Sequence, residues 1–200
     1  MPGDAGDGAP VACGASPGVA VSGTAPALDD TGRTFLVLAY GPAGAGSDLE
    51  RACREWADQA ERLGKDVELH VHDRSDGPAL AHVDALLAAA TVGVRLVVAG
   101  TAQDVRRTVA RARRAGVLPS ELTEHVLADG PLDVFCPHCA ATTETSARPG
   151  DTVTCGGCSR TLDIRAHVAS WTGTFLGSGT DSEPRPGAHT LPVPAEEAHP

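Results

Sequence analysis

The sequence predicts an α/β fold, a small parallel β-sheet with flanking helices, followed by a separate β module. Within residues 33–133, short apolar runs alternate with segments whose apolar residues recur every three or four positions. Strands separated by helices in this way form a parallel sheet with right-handed crossovers and helices on its faces. Residues 134–177 differ, because they are rich in Thr, Cys, Gly and Val, lack a helical period and hold two Cys-x-x-Cys pairs.

The first strand and helix have clear start and stop signals. An unbroken apolar run at 35–40 is typical of a strand that is covered on both faces. Ser47 and Glu50 form a capping box, which predicts that a helix starts there, and Gly64 marks its end. Spacing by three or four residues predicts the buried face of this helix as Leu49, Cys53, Trp56, Ala60 and Leu63.

The remaining elements of the α/β region follow the same alternation. Val67, Leu69 and Val71 alternate with polar residues, which predicts a second strand whose wetter face carries Glu68, His70 and His72. Helices are predicted at 78–90 and 103–115, and further strands at 94–99 and near 123–127.

The third helix carries a cluster of arginines. Its predicted buried residues are Val105, Val109 and Ala112, so the arginines are expected on the exposed face. That face is either a solvated surface with arginine stems lying along it, or a docking patch for an acidic partner subunit. The arginines are Arg106, Arg107, Arg111, Arg113 and Arg114.

Composition excludes several function classes. The chain has 200 residues and a net charge of −10, with 16 Lys and Arg against 26 Asp and Glu. Nucleic-acid binding is not predicted, because its affinity comes mainly from neutralised phosphates. No apolar run approaches the roughly 20 residues of a membrane span, and no secretory signal is recognised, so we expect a cytoplasmic protein with no membrane partner.

The two ends of the chain are predicted to be disordered. Residues 1–32 hold seven Gly and four Pro but no aromatic residue and no Lys or Arg. Residues 178–200 contain five Pro. Such segments bury too little apolar surface to offset the entropy lost on ordering. Cys13 lies in the first of them and is not expected to have a role.

Four cysteines give the strongest chemical signal. Cys136 and Cys139 form one Cys-x-x-Cys pair, and Cys155 and Cys158 form another after fifteen intervening residues. Disulfides are not expected in a reducing compartment. Two such pairs joined by a hairpin place four thiolates around one tetrahedral ion, which predicts a structural Zn²⁺ ribbon.

Other occupants of the four-cysteine site stay open. A rubredoxin-type iron site is the first alternative, although its knuckles usually carry Gly after the second Cys, where this chain has Ala140 and Ser159. An iron–sulfur cluster and four free thiols are the others. His138 and His167 lie nearby in sequence, but four thiolates already complete a tetrahedral shell.

A glycine-rich loop raises the question of nucleotide binding. Gly41, Gly44 and Gly46 lie between a predicted strand and helix, where backbone N–H groups can bind phosphate. The spacing is not Gly-x-Gly-x-x-Gly, so an ordinary turn is favoured, and NAD(P)H binding by this chain is doubtful. Asp73 after the second strand is likewise assigned to an exposed turn. No nucleophile–base arrangement is recognised, and no catalytic residue is predicted.

Residues 35–46, 67–75, 97–100 and 115–122 resemble the nicotinamide-binding domain of the ferredoxin–NAD(P) reductase superfamily. In place of the Cys-Gly-Pro of those reductases the chain has Ala99, Gly100 and Thr101. Residues 134–139, 150–158 and 175–177, with Leu162, His167, Val168 and Ser170, resemble the C-terminal module of the DmmA-like family.

The second resemblance implies a function. DmmA-like proteins are small subunits of bacterial dimethylamine monooxygenase, a multi-subunit, NAD(P)H-dependent oxygenase that N-demethylates secondary amines, with the oxygen chemistry on other subunits. The resemblance therefore implies an accessory subunit that organises, or relays electrons between, a reductase subunit and an oxygenase subunit. Two alternatives stay open: a rubredoxin-like electron carrier with iron at the cysteines, and a zinc-ribbon interaction or regulatory module unrelated to amine oxidation.

Overall fold

A computed structural model describes residues 24–42 and 47–179 of the chain. Within these residues no helix is long and apolar enough to cross a membrane. A 3₁₀ turn at Pro119–Glu121 precedes the fourth strand. In chain order the elements are β1 (Thr34–Tyr40), α1 (Asp48–Leu63), β2 (Asp66–His72), α2 (Gly77–Ala89), β3 (Val94–Thr101), α3 (Ala102–Arg114), β4 (Leu122–Ala128), β5 (Leu132–Phe135), β6 (Thr142–Thr145), β7 (Thr152–Thr154), β8 (Thr161–Ala169) and β9 (Thr174–Gly179).

The first four strands form the predicted parallel sheet, in the order β2-β1-β3-β4. Two apolar layers cover it. Odd-numbered residues of β1 such as Phe35 and Val37 pack with α1, including the fully buried Trp56. Even-numbered residues such as Leu38 pack with Val83 of α2 and with α3. The sheet with flanking helices predicted from the alternation is confirmed.

The helices begin where the sequence provides side-chain caps. Ser47 Oγ accepts the backbone N–H of Glu50 at 3.1 Å, as the capping signal predicted. The Asp76 carboxylate and Thr101 Oγ1 accept the corresponding N–H groups of α2 and α3. Each bond satisfies a donor that a helix leaves unpaired in its first turn. Helix α1 ends at Gly64 in the left-handed conformation, with φ of 62°.

Two predicted faces differ from the structure. Leu63, expected in the buried stripe of α1, is 40% exposed because it lies in the last turn at the rim of the sheet. In β2 the polar face is the more covered one: Leu69 and Val71 are 45% and 46% exposed, whereas His70 and His72 are partly buried. The reason is that β2 is an edge strand, reached by α2 on its histidine side.

Residues 24–32, which the sequence assigned to a disordered leader, pack against α1. Leu28 is 8% exposed, and its N–H donates to Gln59 Oε1 at 2.9 Å. The Trp56 indole N–H donates to the carbonyl of Pro26 at 3.0 Å. Arg95 of β3 holds Asp29 at 2.7 Å. Residues 178 and 179, assigned to the disordered tail, instead end strand β9, because they pair with β8. The rest of the predicted leader and the rest of the predicted tail, from residue 180, lie outside the described residues.

The last five strands form a second sheet, in the order β6-β5-β9-β8-β7. Strands β5 and β9 run parallel, and the other neighbours are antiparallel. Strand β5 begins at Leu132, two residues before the predicted start of the module, because Leu132 and Val134 both enter its core. Leu162, Ile164 and Phe175 complete that core with Cys136 and Cys155.

Three of the five arginines of α3 join the two sheets, whereas the sequence predicted that all five face solvent or a partner subunit. Arg107 donates to the buried carboxylate of Asp133 through Nε at 2.5 Å and Nη2 at 2.7 Å. The Arg106 guanidinium lies 5.1 Å from the centre of the Phe175 ring. Arg114 donates to the Trp171 carbonyl at 2.7 Å. The other two arginines form ion pairs within the α/β region: Arg111 with Asp84 of α2, and Arg113 with Glu124 of β4.

Candidate metal centre

Two turns of the same shape hold the four cysteines. In the first turn the N–H of Cys136 donates to Ala141, and the N–H of Ala140 donates to Cys136, both at 2.9 Å. The second repeats this pattern, with Cys155 donating to Arg160 and Ser159 donating to Cys155. Each turn therefore folds back on its first cysteine and points two thiols in one direction.

The residue after each second cysteine adopts an unusual backbone conformation. Ala140 has a φ of 58° and Ser159 a φ of 59°, and they are the only non-glycine residues with positive φ in the described chain. This left-handed region normally favours glycine. The lack of glycine at these two positions therefore does not disfavour a rubredoxin-type knuckle, because both turns form without it.

The four thiols meet at one point. All four sulfur atoms lie within 4.8 Å of one another. The Cys136–Cys158 and Cys139–Cys155 sulfur pairs are 3.8 and 3.5 Å apart. Sulfur ligands placed tetrahedrally at about 2.3 Å from a zinc ion are about 3.8 Å apart. The spacing fits a single four-thiolate ion.

Local hydrogen bonds prepare the cysteines for metal. Backbone N–H groups of Cys158 and Gly157 stabilise the thiolate of Cys155 and lower its pKa to about 6. For Cys139 the N–H of Ala141 acts in the same direction, but burial and the neighbouring sulfurs outweigh it and raise the pKa to about 12. A metal ion displaces the remaining thiol protons when it binds the cysteines as thiolates.

Two adjacent glycines differ in the space around them. A Cβ on Gly157 would lie 2.7 Å from Ala141 Cβ and 3.0 Å from the Cys139 sulfur. A Cβ on Gly156 would meet only Thr143 Oγ1, at 3.7 Å. The second turn therefore requires glycine at 157 so that the Cys139 sulfur can approach.

The histidines near the cysteines do not join the cluster. His138 and His167 are exposed, and among the described residues the converging thiol cluster contains the four cysteines and neither histidine. Cys53 is buried in the core under α1, where burial raises its pKa. Cys13 lies outside the described residues.

The β3–α3 turn, which lies beside the predicted nucleotide loop, does not favour phosphate. Residues 43–46, with Gly44 and Gly46, lie outside the described residues. At the neighbouring β3–α3 turn, the Asp104 carboxylate accepts bonds from Ser75 N, Ser75 Oγ and Thr101 Oγ1 at 2.6–2.8 Å. The buried Asp104 carboxylate occupies the place at the N-terminus of α3 where a phosphate would bind, and its negative charge would repel the phosphate. Asp73 is exposed, as expected for a turn.

Comparison with known proteins agrees with the cysteine centre. Residues 133–178 match the family model described as dimethylamine monooxygenase subunit DmmA-like, C-terminal domain. The heme-dependent oxidative N-demethylase delta subunit of Ectopseudomonas mendocina (strain ymp) is 33% identical over 128 residues, which cover 62% of this chain and 71% of that protein. No solved structure matches the chain.

These matches define a class of protein, an α/β region joined to a C-terminal four-cysteine module. The chain belongs to the DmmA-like subunit family. The match to the delta subunit is longer than the 46 residues from 133 to 178, so it extends beyond the cysteine module. The resemblance of residues 33–133 to ferredoxin–NAD(P) reductases stays a prediction.

Proposed function

We propose that this chain is an accessory subunit of a multi-subunit oxidative N-demethylase. The observation that carries the proposal is the 33% identity to a delta subunit of such an enzyme, over 71% of that subunit's length. The match of residues 133–178 to the DmmA-like C-terminal domain supports the same assignment. The proposed domains are those of the sequence analysis, with residues 33–133 as the α/β domain and 134–177 as the cysteine module.

The proposed role of Cys136, Cys139, Cys155 and Cys158 is to bind one structural zinc ion. The sulfur spacing, the two matched turns and the lowered pKa of Cys155 support a tetrahedral ion of this size. When bound, the ion cross-links two turns that the small core of this sheet holds only weakly. The module thereby becomes a rigid surface for docking on other subunits.

The oxygen chemistry is placed on other subunits. The relative is named as heme-dependent, but the cleft beside His72 and His82 does not fit a haem. That cleft has a volume of about 390 Å³ and is lined by Asp73, Arg74 and Asp76, whereas cofactor pockets are mostly apolar. From the family resemblance we propose that separate oxygenase and reductase subunits are the partners, that electrons come from NAD(P)H, and that the substrate is dimethylamine or a similar secondary amine.

A deletion and rescue experiment tests the proposed function. Deleting the gene from its native host should abolish dimethylamine-dependent formaldehyde release, and the tagged wild-type chain should restore it and co-elute with a haem protein at low salt. A rescue with Cys136→Ser should fail, whereas His138→Ala in the same turn should succeed. A deletion strain that demethylates normally, together with a tagged chain that elutes alone, would contradict the proposal.

A further inference from the structure

Three histidines meet on one side of the edge strand β2. His70 and His72 are two residues apart, so their side chains lie on the same face of the strand. They are in register with Leu38 and Tyr40 of β1, whose side chains face α2 and α3. His82 of α2 lies over both of them. The sequence interpretation of this face as merely the wetter side of a strand missed the cluster.

The three rings are close together, and those of His72 and His82 are within hydrogen-bond distance of each other. His82 Nδ1 is 3.3 Å from His72 Nε2. The His70 ring packs edge-on against His82, with 4.9 Å between ring centres and an interplanar angle of 90°. His70 Nε2 is buried and has no hydrogen-bond partner, and its nearest charged atom is Glu68 Oε2 at 3.8 Å. A buried imidazole nitrogen without a partner is unfavourable unless something binds it.

The spacing of the first two nitrogens fits metal coordination. Imidazole nitrogens bound tetrahedrally to zinc at about 2.0–2.1 Å lie about 3.3 Å apart. His72 Nε2 and His82 Nδ1 already have this separation. His70 Nε2 does not converge with these two nitrogens in the structure, so its ring would have to rotate to supply a third ligand. Stacking of His72 on Tyr40, with 5.8 Å between ring centres, fixes the orientation of the first ligand.

The surroundings favour a cation over an anion. Asp73 and Asp76 line the same cleft as His72 and His82. The cleft's arginine, Arg74, is paired with Glu144 of β6 at 3.4 Å, so its charge is partly neutralised. The cleft has a volume of about 390 Å³ and leaves His82 exposed, which gives an ion access from solvent. Remaining coordination positions are open to water.

We propose that His70, His72 and His82 form a second metal site, which binds one divalent transition-metal ion of the zinc class. Imidazole ligands suit Zn²⁺, Ni²⁺ and Cu²⁺, and three imidazoles leave a position for water. The site belongs to the α/β region and is independent of the four cysteines. It does not rest on the proposed N-demethylase function.

Zinc titration followed by NMR tests this site directly. Protein first equilibrated with one equivalent of Zn²⁺ is titrated with more Zn²⁺ at pH 7.5 while the histidine ring signals are recorded. The ring signals of His70, His72 and His82 should shift together and saturate at one further equivalent, whereas those of the exposed His167 should not move. Calorimetry of the same step gives the affinity.

Two variants complete the test. Altering a residue that hydrogen-bonds to a metal ligand weakens metal binding by about 10–100-fold. Since His82→Ala removes a ligand itself, it should weaken Zn²⁺ binding by at least about 100-fold. His167→Ala, a matched change at an exposed histidine of β8, should bind as the wild type does. His82 is itself exposed, so its variant is expected to fold. Wild-type ring signals that stay unshifted at excess Zn²⁺, or equal binding by His82→Ala, would overturn the proposal.

Discussion

The two sheets of this protein are stabilised in different ways. The parallel sheet is covered on both faces by apolar layers, one centred on Trp56 and α1 and the other on Val83 of α2 with α3. The C-terminal sheet has one small cluster, and two of its seven buried members are cysteines, Cys136 and Cys155. A sheet of this size rarely supplies enough apolar burial to fold unaided. The first sheet is stabilised by its apolar core, and the proposed metal ion would stabilise the second in place of a larger core.

The two sheets are nevertheless coupled at α3. The Asp133 carboxylate at the start of β5 accepts bonds from Arg107 and from Gln103. Glu144 of β6 accepts from the same two residues at 3.0 Å. This ionic contact fixes the position of the C-terminal sheet against α3. It adds no apolar core to that sheet.

The largest expected effect comes from breaking the cysteine centre. Structural zinc contributes on the order of 10 kcal/mol of folding free energy in small domains. Cys136→Ser should therefore unfold the C-terminal sheet while the α/β region stays helical by circular dichroism and resists proteolysis. His138→Ala, in the same turn but outside the thiol cluster, is the control and should keep both regions folded. A Cys136→Ser protein with a protease-resistant C-terminal region would contradict the comparison.

A smaller effect is expected from removing the contact between the sheets. Asp133→Ala leaves the Arg107 guanidinium, 21% exposed, without its main partner. Removing one partner of a buried ion pair costs about 3–5 kcal/mol, and the remaining pair with Glu144 should limit the loss to about 3 kcal/mol. Asp129→Ala, which removes an exposed carboxylate 3.8 Å from Arg148, should cost less than about 1 kcal/mol. Denaturant unfolding of the metal-loaded variants measures both, and equal losses would show that Asp133 does not join the sheets.

The smallest expected effect is on the pH dependence of stability, and it involves the first sheet alone. His125 of β4 is 2% exposed beside Trp56, and burial lowers its pKa below the ordinary value of 6.5. As pH falls through 6.5 the unfolded chain gains a proton that the folded chain does not, so stability is lost. The unfolding free energy should therefore fall less between pH 7.5 and 5.5 in His125→Gln than in the wild type. Identical pH dependence in the two proteins would contradict this assignment.

The sequence was sufficient for features set by local signals. Apolar runs, helical spacing and caps such as Ser47 and Gly64 depend on neighbours within a few residues, so the order of strands and helices was predictable. The four cysteines were predictable because metal spacing is itself a short-range pattern. Neither the order of the elements nor the cysteine pattern depends strongly on contacts between distant parts of the chain.

Features set by distant contacts were not predictable. Arg106, Arg107 and Arg114 appeared to face solvent because their partners in the second sheet lie 26 or more residues away. Residues 24–32 appeared too polar to fold, yet the indole N–H of Trp56 needs a carbonyl that this segment supplies. His82 joined His70 and His72 only once α2 was placed across β2.

Metal analysis of the cysteine centre tests the central claim most directly. Purified wild-type protein should contain one more zinc ion per chain than Cys136→Ser and should be colourless, and removing the metal should make its C-terminal sheet susceptible to protease while the α/β region persists. A red protein with iron at the four cysteines would contradict the assignment of zinc to this site. A C-terminal sheet that stays ordered with no metal at those cysteines would contradict the claim that the ion holds it together.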